Sequence, residues 1–177
     1  KPQGIMIAAR QRRWGLSDLP SPVGSASTLL VVLDGVQDPG NVGTVIRTAD
    51  AAGATGVILL KNCADPFSGK TVRSTMGSLF HLPIASDVAR DDFLTFINQY
   101  RIKLAVTSLE AAMPYHKADL AGALAVVFGN EGQGVGPELV SASDSRIIIP
   151  LYGKAESLNV AVSAGVVLYE AARQRAL

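Results

Sequence analysis

The chain has 177 residues, 48% hydrophobic and 18% charged, a length that fits one domain and a composition that excludes intrinsic disorder. Sixteen Lys and Arg against fifteen Asp and Glu leave a formal net charge of +1, so any nucleic-acid partner must be met by a local basic patch. Cys63 alone excludes an internal disulfide framework and fits a reducing compartment, with the cytoplasm expected, and the longest apolar run, residues 123–128, falls far below the roughly 18 residues of a membrane span. Residues 1–27 differ in pattern from the remainder of the chain. Gly4-Ile5-Met6-Ile7-Ala8-Ala9 reads as a strand, followed by the basic run Arg10-Gln11-Arg12-Arg13, then Trp14, then the turn-rich linker Leu19-Pro20-Ser21-Pro22-Val23-Gly24-Ser25.

From residue 28 onward, β-branched runs alternate with stretches of helical period, the pattern of an α/β domain with a mostly parallel sheet flanked by helices. Strands are predicted at 28–33, 56–60, 102–107, 123–128 and 145–149. A first helix over 42–52 places Val42, Val45, Ile46, Ala49 and Ala52 on one face, with Gly53 at its end and Arg47 off the packed stripe beside Asp50. A last helix over 158–174 has Ser163 as its only clearly polar residue from Val160 to Tyr169. That composition predicts burial on two sides, by the sheet and by a second subunit.

Three loops carry the chemistry. The first, Leu33-Asp34-Gly35-Val36-Gln37-Asp38-Pro39-Gly40-Asn41-Val42-Gly43, leaves a strand and enters a helix, where α/β sheets bind ligands. Read locally, Asn41 is a helix N-cap, Asp38-Pro39-Gly40 a turn, and Arg47 a solvated residue. The second loop is Phe128-Gly129-Asn130-Glu131-Gly132-Gln133-Gly134-Val135-Gly136-Pro137. Its glycines permit close approach of a ligand to the backbone, yet match neither G-x-G-x-x-G nor a phosphate loop, which disfavours a nucleotide-cofactor oxidoreductase. The third is Ile147-Ile148-Ile149-Pro150-Leu151-Tyr152-Gly153-Lys154-Ala155-Glu156-Ser157-Leu158-Asn159-Val160, in which Ser157 is a candidate N-cap and Asn159 a carboxamide that needs partners at the start of an apolar helix. His81 and His116 lack ligand neighbours at zinc spacing, so no metal is expected, and Cys63 lies outside the three loops.

Taken in this order, the three loops resemble the SpoU (TrmH-like) family of RNA ribose 2′-O-methyltransferases, within the SPOUT class. The match runs over about residues 28–175 and includes Arg47-Thr48-Ala49-Asp50 after the first loop. The resemblance implies a C-terminal trefoil knot, a homodimer, and S-adenosyl-L-methionine as the methyl donor. It implies catalytic roles for Asn41, Arg47, Glu131, Ser157 and Asn159. Donor binding would fall to Phe128, Gly129, Asn130, Ile149, Leu151, Ser157, Leu158 and Asn159. Structured RNA is the implied substrate, ribosomal RNA ahead of transfer RNA; a non-catalytic RNA-binding protein of the same fold is the alternative from another class. Residues 1–27 would be a remnant strand and linker from an upstream RNA-recognition domain, and 28–177 the methyltransferase domain. Arg10, Arg12, Arg13, Lys70 and Arg73 are candidate RNA contacts, and Trp14 would stack on a base or pack on the domain. Lowering a guanidinium far enough to act as a base near neutral pH takes roughly 7 kcal/mol, so Arg47 is read as a fixed cation ahead of a general base.

Overall fold

The computed structural model describes residues 4, 8, 10–19, 28–110 and 112–176. The strand expected over residues 4–9 falls largely outside these, and of the linker expected over residues 19–25 only Leu19 is described. From Thr28 onward the chain builds β1 (Leu29–Asp34), α1 (Pro39–Ala51), β2 (Gly56–Leu60), α2 (Gly69–Thr75), β3 (Ile84–Val88), α3 (Arg90–Tyr100), β4 (Lys103–Thr107), β5 (Met113–Pro114), β6 (Leu124–Gly129), α4 (Pro137–Ala142), β7 (Ser145–Ile148) and α5 (Val160–Arg175). The strands form one seven-stranded sheet in the order β3-β2-β1-β6-β4-β7-β5. Every pairing is parallel.

A parallel sheet must be covered on both faces, and the alternation along each strand divides the core accordingly. Val31 and Leu33 of β1, Val126 and Phe128 of β6, and Val57 and Leu59 of β2 pack under α1 and α5. Leu30, Val32, Ile58 and Val127 face the other way, under Phe93, Phe96 and Ile97 of α3 and Leu139 of α4. The predicted stripe on α1 holds: Val42, Val45, Ile46 and Ala49 are fully buried, and Gly53 takes the left-handed conformation (φ 75°) just past the helix end.

The helix begins earlier than expected because Asp38, not Asn41, is its N-cap. The Asp38 carboxylate accepts the backbone N–H of Asn41 at 2.9 Å, and Pro39 occupies the first helical position. Likewise α5 is capped by Asn159, not Ser157, and starts at Val160. One side of α5 lies on the sheet and α1, but Val162 is 52% and Tyr169 57% exposed, so within this chain the second side stands open. The connection from β7 to α5 runs back over the carboxyl ends of β4 and β6, because β7 lies beyond β4 while Asn159 touches Asn41 at the start of α1.

Residues 10–19 lie against the β3 edge: Trp14 bridges Ala85, and Leu19 is buried in the α3-side core. Trp14 also carries the Arg12 guanidinium 3.6 Å above its ring.

Candidate active site

The loops that leave β1, β4, β6 and β7 all end at the same, carboxyl-terminal edge of the sheet, which is where an open parallel sheet presents a ligand crevice. There a cavity of about 570 Å³ is lined by the 107–110, 128–135 and 147–158 segments. That volume suits a drug-sized cofactor. Phe128, Gly129, Asn130, Ile149, Leu151, Ser157 and Leu158 line it, as does Glu131. Asn159 is not among the lining residues; it turns toward α1.

The second loop is a closed turn. Asn130 and Gly134 exchange backbone hydrogen bonds of 3.2 and 2.8 Å, and the Asn130 side-chain oxygen accepts the N–H groups of Gly132 (2.8 Å) and Gln133 (3.2 Å). Gly134 sits at φ 69°, and a Cβ on Gly129 would run into the Gly134 backbone. Both glycines are therefore required by the turn, and the turn leaves a wall of main chain facing the cavity. The Asn130 amide also donates to the Gly35 carbonyl at 2.9 Å, stitching the second loop to the first.

Three of the five expected catalytic side chains meet in one hydrogen-bonded line. The Asn159 oxygen caps α5 by accepting the N–H groups of Ala161 (2.9 Å) and Val162 (3.4 Å). Its orientation is thereby fixed, and its amide nitrogen donates to the Asn41 oxygen at 3.0 Å. That in turn commits the Asn41 nitrogen, which donates to the Glu131 carboxylate at 2.5 Å. An acceptor at one end thus sets the direction of every bond to the other end. Ser157 joins Glu131 in lining the cavity.

Arg47 is not part of this line. It stands six residues beyond Asn41, roughly 9 Å along the helix, exposed and with no hydrogen bond or ion pair to the described residues. Its expected neighbour Asp50 instead meets His81 Nδ1 at 2.8 Å, and that contact, with a further one from Ser78, holds the Asp50 carboxyl below its usual range.

Of the expected RNA contacts, Lys70 is paired with Asp38 at 3.1 Å, and the cap bond from Asn41 together with Lys70 lowers the Asp38 carboxyl. Arg10, Arg12, Arg13 and Arg73 are exposed. The Cys63 thiol donates to the Leu33 carbonyl at 3.2 Å, and burial pushes its pKa up to about 11, the opposite of a nucleophile. Among the described residues no His, Cys, Asp and Glu group is placed to hold a metal, and no helix is long and apolar enough to cross a membrane.

Sequence reasoning overlooked two features. The 107–110 segment lines the cavity and was signalled only by its place after a strand at the binding edge. Asp34, 2% exposed at the end of β1, takes a bidentate contact from Arg90 at the start of α3, with bonds of 2.9 to 3.2 Å, and accepts the Gly136 N–H at 2.8 Å. No local pattern links these positions.

The sequence signature described as the SpoU rRNA Methylase family matches residues 28–169. The chain is 43% identical over 143 residues, 79% of its length and 56% of the relative's, to 23S rRNA (guanosine(2553)-2'-O)-methyltransferase RlmP of Bacillus subtilis. Its structure superposes with a TM-score of 0.87 on an AdoMet-bound rRNA methyltransferase from Sinorhizobium meliloti, at 40% identity over 92% of this chain and 61% of that one. It superposes with a TM-score of 0.86 on the SpoU methyltransferase AviRb from Streptomyces viridochromogenes in complex with AdoMet, at 33% identity over 92% of this chain and 65% of that one. The chain spans less than two thirds of each of these three proteins. Its signature, its sheet, and its second and third loops around one cavity with the first loop bonded to the second agree, and the chain belongs to the SpoU rRNA Methylase family.

Proposed function

We propose that this chain carries the catalytic unit of an S-adenosyl-L-methionine-dependent methyltransferase acting on a ribose 2′-hydroxyl of structured RNA, with ribosomal RNA as the substrate class. The observation that carries the reading is the cavity walled by the Gly129–Gly134 turn, with the Asn159–Asn41–Glu131 line reaching its rim at Glu131. A main-chain wall whose turn leaves no room for a Cβ on Gly129 is suited to a ligand held by backbone groups, and Phe128, Gly129, Asn130, Ile149, Leu151, Ser157 and Leu158 would hold the donor. S-adenosyl-L-methionine supplies an electrophilic methyl group at that position. The names of the relatives support ribosomal RNA as the substrate class.

The chain's own part is to place the hydroxyl and stabilise the charge it develops. Glu131, held by Asn41, orients the ribose at the cavity rim. Arg47, exposed and unpaired among the described residues, meets the target phosphate and the developing alkoxide as a fixed cation, while the hydroxyl proton leaves to phosphate or water. Asn159 keeps the Asn41 amide turned so that it donates to Glu131. The connection between β7 and α5 is the segment that the family's knot would thread. The open side of α5, with Val162 and Tyr169 on it, is the face a second copy would cover, giving a homodimer.

Mapping 2′-O-methyl sites in total RNA from cells with and without the gene tests the reading and names the substrate. A site lost from ribosomal RNA is expected. Loss from transfer RNA alone would move the substrate class, and no lost site, with S-adenosyl-L-methionine failing to bind by calorimetry, would leave an RNA-binding protein.

A further inference from the structure

We infer that Asp34 and Arg90 are positioning residues that hold the donor-binding turn in its binding shape, an inference that rests on the donor site proposed above. The turn over residues 129–136 is tied at its start by Asn130 to the Gly35 carbonyl, and closed on itself by the Asn130–Gly134 bonds. Its far end has no such internal closure. It is held instead by the Gly136 N–H on Asp34 Oδ2, at 2.8 Å, in a buried setting. Asp34 can keep that oxygen aimed there because the Arg90 guanidinium occupies the rest of the carboxylate with three bonds of 2.9, 3.1 and 3.2 Å. The fit is close: a Cβ on Gly136 would stand 2.7 Å from Arg90 Cζ, so the guanidinium lies directly on the loop backbone.

Arg90 is also within 3.5 Å of Glu138 in α4, the helix after the turn, so one side chain fixes both the strand-end carboxylate and the helix that the loop enters. Neither residue lines the cavity, so any effect on the donor passes through the turn's backbone. The pair therefore shapes the cavity's main-chain wall from behind, through Gly136, without lining the cavity itself.

Replacing Arg90 alone strands a buried carboxylate and invites unfolding, so the test uses the double variant D34N/R90Q, which removes both charges together, alongside G136A, which crowds the same point from the loop side. Two readouts are taken. In the donor-free protein, amide exchange over residues 129–136 is expected to accelerate about tenfold or more in D34N/R90Q while exchange in β1 and β6 stays slow. By calorimetry, S-adenosyl-L-methionine affinity is expected to fall at least about tenfold in both variants, with the helical content and cooperative melt of a folded protein retained. Unchanged exchange in the turn, or faster exchange with donor affinity within about threefold of the unaltered chain, overturns the positioning role. If the unaltered chain binds no S-adenosyl-L-methionine, the functional reading fails, and the exchange readout still decides whether the pair holds the turn.

Discussion

The first turn of α1 and its middle treat the side chains proposed to act in catalysis in opposite ways. Asn41, in the first turn, has its side chain committed at both ends, to Asn159 and to Glu131, and its backbone N–H committed to the cap Asp38. Arg47, in the middle, is exposed, and its side chain makes no hydrogen bond or ion pair with the described residues. One helix thus carries a group whose geometry the fold fixes in advance and a group whose geometry only a ligand can fix. The difference teaches where to look for separate effects on stability and on turnover.

The largest effect is expected from Asn41→Asp, which sets an acceptor against the Glu131 carboxylate in place of a donor. Methyl transfer should fall by about a hundredfold or more, and stability by about 1–3 kcal/mol, because the Asn159 and Glu131 groups both face the altered side chain. Steady-state turnover and denaturant melts measure the two together. Arg47→Ala should match it in turnover, again about a hundredfold or more, while stability changes by less than about 0.5 kcal/mol and donor affinity stays within about tenfold. If Arg47→Ala destabilises the fold as Asn41→Asp does, the contrast between the two turns is broken. A pH-rate profile of Arg47→Lys sharpens it further: retained activity with an acid-shifted limb favours a proton acceptor, and lost activity favours the bidentate cation.

Asn159→Asp should be milder. An aspartate still caps α5, so stability is expected to hold, but the donor to Asn41 is gone and its amide is free to turn, with turnover falling about tenfold. The smallest effect belongs to the C-terminal part of α5, where Glu170 is bonded only within the helix. Hydrogen bonds from Arg173 and Gln174 hold the Glu170 carboxyl down at about 2, against 4.5 for a free one. Its contribution is therefore complete above about pH 4.5 and lost as the pH falls toward about 2. Glu170→Gln should flatten the acid limb of the melting curve and leave turnover at neutral pH unchanged.

The central strands and α1 were legible because their patterns are local: Leu29 to Leu33 is an unbroken apolar run, and α1 shows a helical stripe. β3 was not, because Ile84-Ala85-Ser86-Asp87-Val88 is an edge strand with Asp87 at φ 59°, and only its first half is buried. β5 is a two-residue edge pairing that includes Pro114, beneath any periodic signal. The cap of α1 was misplaced by the appeal of Asn41, although Asp38 before a proline is the stronger start. The donor-site residues came from the family resemblance, and all but Asn159 line the cavity. Arg90 was out of reach, since its partner Asp34 lies 56 positions away and neither stands in a recognisable pattern with the other.

The bond between Asn41 and Asn159 spans 118 positions, and Leu29 of the central strand pairs with Leu124. Chains leave the ribosome at roughly 5–20 residues per second, so on the order of ten seconds separate the emergence of the two asparagines. For most of that interval β1 lacks β6, and until its end α1 can form on its own cap while Asn41 has no fixed amide orientation. The topology is slow and non-local, and its working geometry is the last thing to close. A nascent chain halted before α5 can hold every strand of the sheet and still lack the oriented carboxamide on which Glu131 depends.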